Sequence, residues 1–319
     1  MRKGNTRFGV LMFMLAFGAW LASPTVGRAQ QVPTLDPNFK PVIAVPGGFL
    51  TAVAVQTDAK ILVAGGFNAI NGIARNGLAR LNADGSVDST FDAGSVCCGV
   101  GLNSSQGTSP ITALCLQPDG KLLAGGYFTN INGVARGGLA RLNADGTLDS
   151  TFDPGSGLSF VSGAPSVAPV AKFVLQPDGK VLVGGYFSGV NGVGRNGVAR
   201  LNANGSLDAT FNPGSALAIG DPVDAARLTG MAVLTNGQVL LAGNYQSFNL
   251  VQLSGLARLN ADGTLDSAFN PLISAQTLTP SIDSFLLLSN GQMLISGNFQ
   301  FINNPAIATL ARVNLRPAW

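Results

Sequence analysis

The sequence predicts an all-β protein, and three observations predict it. A tetrad, Ala-Arg-Leu/Val-Asn, returns five times, with its arginine at Arg80, Arg141, Arg200, Arg258 and Arg312, spaced by 61, 59, 58 and 54 residues. Two tight-turn signals recur in each copy, Gln117-Pro118-Asp119-Gly120 and Asn143-Ala144-Asp145-Gly146 in the clearest one. Apolar residues run without alternation through stretches such as Leu122-Leu123-Ala124-Gly125-Gly126, as they do in a sheet buried on both faces. A period near 60 residues, hairpins in every period and two-sided burial are together the marks of a β-propeller, whose blades are each sandwiched by their neighbours. The expectation is five four-stranded blades. A β-solenoid, the alternative, uses shorter repeats and distinct capping units.

Taken in chain order, residues 1–29 read as a secretory signal. Arg2, Lys3 and Arg7 precede an apolar stretch from Phe8 to Ala22, and Gly27-Arg28-Ala29 has the small-x-small form of a cleavage site. The stretch falls short of the ~20 residues that span a bilayer. An uncleaved membrane anchor is the alternative. No later stretch reads as a transmembrane helix. Cleavage after Ala29 takes four of the 19 basic residues and none of the 16 acids, leaving 15 against 16. The near-neutral mature chain has no basic patch to attract nucleic acid.

Residues 30–319 are expected to form the propeller, with repeats at about 49–92, 111–153, 170–212, 228–270 and 282–315. In each repeat the Pro-Asp-Gly and Ala-Asp-Gly turns suit a type I turn followed by glycine at φ > 0, which places strands 1 and 2 in one hairpin and strands 3 and 4 in another. A longer loop joins strands 2 and 3. The last copy has strand 3 but no Leu-Asp-x-x-Phe segment, and Leu35-Asp36-Pro37-Asn38-Phe39 supplies that segment near the other end. Residues 35–39 are therefore expected to complete the fifth blade and close the ring. Hairpin counting pairs Arg80 with Asp88, Arg141 with Asp149, Arg200 with Asp208, Arg258 with Asp266 and, across the closure, Arg312 with Asp36.

The motif Leu-Gln-Pro-Asp-Gly-Lys-x-Leu-x-Gly-Gly…Ala-Arg-Leu-Asn-x-Asp-Gly-x-Leu-Asp-x-x-Phe resembles the delta-60 repeat family of exported bacterial proteins. The resemblance covers Phe49 to Leu315 and implies a propeller fold and export, with no known reaction. Copies 4 and 5 depart from it, with Thr235-Asn236-Gly237-Gln238 and Ser289-Asn290-Gly291-Gln292 at the first turn. It implies a protein secreted from a bacterium or held in its periplasm or cell envelope.

The chain has no His and no Glu, which removes Ser-His-Asp chemistry, His-ligated metals and the commonest carboxylate acid. Most Asp residues serve turns or strand 4, and Asp221, Asp224 and Asp283 remain as candidate channel or loop acids. A polysaccharide-active hydrolase needs a paired acid and base, so it stands as an alternative to a binding protein. Asn143, Asp145 and Asp149 loosely resemble a calcium loop, as do Asn82/Asp84/Asp88 and Asn260/Asp262/Asp266. Asn204 breaks the pattern in copy 3, and calcium takes six or more oxygens, so the expectation is no metal and no cofactor, with calcium the alternative. Cys115 reads as core, and Cys97-Cys98 as a loop that could reach it in a disulfide. Arg75, Arg136 and Arg195, with Asn71, Asn132 and Asn191, recur in the strand 2–3 loops. They are candidates for a polar, ligand-binding face, or else bond loop carbonyls.

The sequence therefore points to an exported, non-catalytic binding or scaffold propeller, its partner a glycan or a surface protein. A purely structural propeller is the further alternative. N-terminal sequencing of protein recovered from the envelope or medium should begin near Gln30, and an intact Met1 terminus would refute the signal reading.

Overall fold

Turn chemistry fixes the strands. In a computed structural model, Gly120 sits at φ 81° and Gly146 at φ 93°, the left-handed region each turn requires. Gln117 N donates to Lys121 O at 2.8 Å and Asn143 N to Thr147 O at 2.8 Å, closing the two turns. Copy one carries Ala59 at φ 65° where the others have glycine. The structure describes residues 36–44, 49–94, 96–98, 111–159, 170–214, 228–245, 247–249, 251–253, 255–270, 273–274, 280–301 and 304–315. Leu35, Asp221, Asp224 and the signal segment lie outside them. Residues 38–319 form one unit, and of the other unit, Met1–Pro37, only Asp36 and Pro37 are described.

Among the described residues five of the antiparallel sheets, one for each repeat and called blades below, follow one another along the chain. Blade one holds strands Phe49–Val55, Ile61–Gly66 and Leu78–Leu81; blade two, Ile111–Leu116, Leu122–Gly126 and Leu139–Leu142. Blade three holds Val170–Leu175, Val181–Gly185 and Val198–Leu201; blade four, Leu228–Val233, Val239–Gly243 and Leu256–Leu259. Blade five holds Ser281–Leu287, Gln292–Phe301 and Asn304–Asn314. In each the second strand is central, pairing with both others.

The expected fourth strand is reduced to a single bridge in blades one to four, as at Leu81↔Val87 and Leu142↔Leu148. The reason is local. Asp149 N still reaches Arg141 O at 2.9 Å, but the Asp149 carboxylate then accepts Thr151 N at 3.0 Å, and Phe152 N turns back to Asp149 O at 3.3 Å. An Asx turn replaces the ladder.

The strand 2–3 loops also differ from expectation. They are small hairpins, such as Phe128–Ile131 with Val134–Ala135, closed by Asn132-Gly133 at φ 51° and 77°. Two successive positive φ values make the type I′ turn for which Asn-Gly is the preferred pair. The preceding connection adds a further strand: Val96–Cys98 on Phe128–Ile131, Leu158–Ser159 on Gly189–Val190, and Ile43–Ala44 on Ala69–Ile70. Cys97 and Cys98 thus lie in a strand, and Cys115 is a half-buried free thiol.

The apolar clusters lie between blades. Leu62, Ala64 and Leu78 of blade one meet Ile111, Leu122 and Ala124 of blade two, and the same arrangement repeats from two to three, three to four and four to five. First strands are stitched as well: Thr51 Oγ1 donates to Ile111 O, and Thr112 Oγ1 to Val170 O, each at 2.6 Å. Thr229 Oγ1 donates to Ile282 O in the same way.

A Cβ on Gly125 would lie 2.5 Å from Val170 Cβ in the next blade. Gly125→Val should therefore cost about 1–3 kcal/mol by overpacking. Gly194→Ala, where a Cβ would meet nothing within 4 Å, should leave the chemical-denaturation midpoint close to wild type.

Candidate functional site

Two recurrent polar constellations stand out, one inside the blades and one on the hairpin side. The first is built on the tetrad arginines. Arg141 Nε donates to Asp149 Oδ2 at 2.6 Å, Nη2 to Thr151 Oγ1 at 3.1 Å, and Nη1 crosses to Ala203 O of blade three at 2.7 Å. Its guanidinium carbon stands 4.9 Å from the centre of the Phe152 ring. Lys121 Nζ, from the central strand, reaches the same Asp149 oxygen at 2.9 Å. Arg80 with Asp88, Arg200 with Asp208 and Arg258 with Asp266 repeat the socket, at 2.7 Å each. Gln238 replaces the lysine beside Asp266, at 2.9 Å. Arg312 is exposed, and Asp36 belongs to the other unit of the chain.

Burial alone would raise the pKa of Asp149, but the bonds from Lys121, Thr151 and Arg141 outweigh it and hold the carboxyl far below the ordinary carboxylate range. The same balance, with desolvation opposed by Thr, Lys and Arg, lowers Asp88 and Asp208. Asp266 is lowered too, by Arg258 first, against desolvation. These acids stay ionised and paired, which fits structure rather than general-acid chemistry.

The positions compared with a calcium loop are engaged internally. Asp145 Oδ1 accepts Thr147 N at 2.9 Å and Thr147 Oγ1 at 2.6 Å, while Asn143 turns its Nδ2 donor to Thr147. Among the described residues no three His, Cys, Asp or Glu side chains gather as metal ligands.

The second constellation is on the hairpins. Asn132 donates from Nδ2 to Ala93 O at 3.2 Å, and Asn249 to Pro213 O at 2.8 Å. Asn191 Oδ1 accepts Ser156 N at 3.2 Å, and Asn71 Oδ1 accepts Val42 N at 2.7 Å. Asn132, Asn191 and Asn249 each clamp the connection that enters from the preceding blade, and Asn71 clamps the segment that leads into blade one. Arg136 and Arg195 are buried and Arg75 is half-buried, and Nη1 of each donates to the carbonyl of the residue before it: Ala74, Ala135 and Gly194, at 2.8, 2.8 and 2.7 Å. Asp92 and Asp153 face the first two at 3.8 and 3.7 Å. Asp283, on the first strand of blade five, is exposed and accepts Ser281 Oγ at 3.0 Å. The sequence reading missed the clamps, although Asn-Gly between apolar pairs is the signal for them.

Four segments, residues 56–91, 117–152, 176–211 and 234–269, match the family model described as a domain of unknown function (DUF5122) beta-propeller. Each matched segment runs from the first tight turn through the tetrad arginine to its aspartate and phenylalanine. The fold is a β-propeller. No curated protein matches the chain. Among solved structures, the propeller resembles the extracellular domain of the one-component system BT4673 from B. thetaiotaomicron, at 13% identity and TM-score 0.42, over 86% of this chain and 29% of that one. A protein of unknown function from Bacteroides caccae is similar at 15% identity and TM-score 0.43, over 85% and 79%. PorZ, a bacterial surface component of the type-IX secretion system of Porphyromonas gingivalis, is similar at 14% identity and TM-score 0.41, over 77% and 30%. The chain thus spans less than a third of the first and third of these. At such scores the likenesses say nothing of ligand or activity. Among the described residues no helix is long and apolar enough to cross a membrane.

Asp149→Asn leaves Arg141 and Lys121 facing a neutral amide and should cost about 3–5 kcal/mol at pH 7. The folded pKa of Asp149 is depressed, so its contribution is present above the unfolded value near ~3.9 and is lost as pH falls toward the folded value. Chemical denaturation across the acid range should show a shallower loss of stability for the variant than for wild type.

Proposed function

We propose that the protein is an exported, non-catalytic propeller of five blades, closed into a ring, that binds a glycan or surface protein through its hairpin face. The observation that carries the non-catalytic reading is the engagement of the acids. Asp88, Asp149, Asp208 and Asp266 are consumed in sockets, and Asp84, Asp145 and Asp262 in turns. Export rests on the signal-like residues 1–29. The described ends of the connections between blades, Val96–Cys98 and Leu158–Ser159, pair with the hairpins, and binding residues are concentrated on loops that a rigid scaffold positions.

Ring closure is supported from both ends of the array. Phe39 and Pro41 lie against Gly85 of blade one, where Asp92 lies against Gly146 of blade two and Asp153 against Gly205 of blade three. Val42 bonds Asn71 as the later connections bond their asparagines. Residues 39–44 thus meet blade one in the way each blade's exit meets the next. Leu50, Val53 and Val55 of blade one are exposed, although their counterparts Ile111, Leu114 and Leu116 pack on the preceding blade. Leu286 and Leu310 of blade five are exposed at the places of Cys115 and Leu139, which pack on the following blade. The exposed apolar faces are complementary in position. In the closed ring they cover each other, and Asp36 meets Arg312.

Val53 is 41% exposed in the open arrangement, so Val53→Asp would be nearly neutral in an open array and strongly destabilising in a closed ring, by more than about 2 kcal/mol. A fall in melting temperature of a monomer by light scattering is expected. An unchanged melting temperature, or a dimer that Val53→Asp dissociates, would overturn closure. A glycan array probed with the mature chain tests the binding reading separately, and turnover of an arrayed polysaccharide would refute the non-catalytic one.

A further inference from the structure

In an Asn-Gly pair the asparagine side chain is open to attack by the next backbone nitrogen, because glycine puts no Cβ beside that nitrogen. The described residues hold eight such pairs. In five the glycine N–H donates to a carbonyl: Gly77 to Phe67, Gly197 to Phe187, Gly205 to Asn202, Gly237 to Leu234 and Gly291 to Leu288, all within 3.1 Å. Such a bond ties the nitrogen's proton to an acceptor and fixes the peptide plane. The other three pairs are the hairpin turns Asn71-Gly72, Asn132-Gly133 and Asn191-Gly192, exposed at every residue. Among the described residues no carbonyl accepts from the glycine nitrogen of these three. A Cβ on any of the three glycines would meet nothing within 4 Å.

The three side chains are held differently. Asn71 donates from Nδ2 to Gly85 O at 3.1 Å, and Asn132 from Nδ2 to Ala93 O at 3.2 Å. In both the amide nitrogen is fastened to the backbone. Asn191 is held by its other end: Oδ1 accepts both N–H and Oγ–H of Ser156, at 3.2 and 3.3 Å. A backbone N–H can only donate, so this contact fixes which end of the amide is oxygen. Among the described residues no acceptor takes Asn191 Nδ2. Attack at Cγ drives negative charge onto Oδ1, where two donors are already aimed, and the nitrogen that must depart is unfastened.

We infer that Asn191-Gly192 is a site of self-modification, the hairpin asparagine at which the folded chain deamidates. Gly192 N gives its proton to solvent hydroxide and bonds to Asn191 Cγ. The Cγ–Nδ2 bond breaks, and Nδ2 takes a proton from water and leaves as ammonia. Water then opens the cyclic imide. Addition at Cγ gives aspartate, and addition at the backbone carbonyl gives isoaspartate. Nothing is oxidised or reduced. The ring is made of atoms of Asn191 and Gly192 alone, so no distant residue has to move into place. An aspartate keeps the acceptor for Ser156. An isoaspartate adds one carbon to the backbone of a turn whose ends pair as Val190↔Val193, and loosens the connection clamped there. The inference is independent of what the face binds.

The test follows ammonia loss at each Asn-Gly pair of the mature chain, held folded in mildly alkaline buffer, by peptide mapping and mass spectrometry. Asn191 should convert about tenfold faster than Asn71 and Asn132, with the five bonded pairs slower still. Ser156→Ala removes one donor and should slow Asn191 several-fold while leaving Asn71 and Asn132 unchanged. In urea the pairs should converge on one rate, which separates the contribution of the fold from that of the dipeptide. Equal rates at the three hairpins of the folded chain would overturn the inference, as would a faster pair elsewhere. So would a Ser156→Ala variant of unchanged melting temperature in which Asn191 converts at the wild-type rate, or a lead for Asn191 that persists in urea.

Discussion

The tetrad arginine is the interaction on which the rest of the structure depends. One guanidinium ties three things together: the aspartate of its own blade, the phenylalanine beneath it, and a carbonyl of the next blade. Arg80, Arg141 and Arg200 do this through Ala144, Ala203 and Ala261, and Arg258 through Leu315. Because the crossing bond goes to a backbone atom, it holds whatever side chain the next copy carries. Buried ion pairs are commonly neutral for stability, since desolvation offsets attraction. Their value here is register. A blade slipped by one residue would turn every arginine to the opposite face, away from its aspartate.

The second constraint is space. A sheet buried on both faces leaves little room where blades converge, and glycine at Gly125 and Gly184 meets side chains of the following blade. The polar devices are therefore pushed outward, into turns and hairpins. There Asn-Gly pairs and Asx caps satisfy the backbone that no ladder reaches.

Much of this was legible in the residues. The period shows by recurrence alone, and the two tight turns and the arginine–aspartate spacing follow from short-range rules, since each involves partners eight residues apart or fewer, as with Arg141 and Asp149. The fourth strand was overcalled because Leu148 and Phe152 look like alternating strand residues, whereas the Asp149 side chain captures the backbone and bends it after one bridge. For Arg75, Arg136 and Arg195 the spacing leaves two readings open, a polar ligand-binding face or bonds to loop carbonyls, because a loop position says nothing of burial. Their burial depends on Asn clamps that bring in the preceding connection, a long-range contact that spacing does not reveal. Gln238 in place of lysine was visible, but not that its amide would still reach Asp266.

The sockets also give the array a direction. Blades one to four each hand a hydrogen bond forward and blades two to five each receive one, so neighbouring blades are coupled like spins in a chain, and disorder in one lowers the cost of disorder in the next. Blades two, three and four are held on both sides. The lysine that reinforces the first three aspartates is absent from the fourth socket, where the neutral Gln238 stands. Salt therefore acts unevenly along the molecule: screening loosens the first three joints more than the fourth.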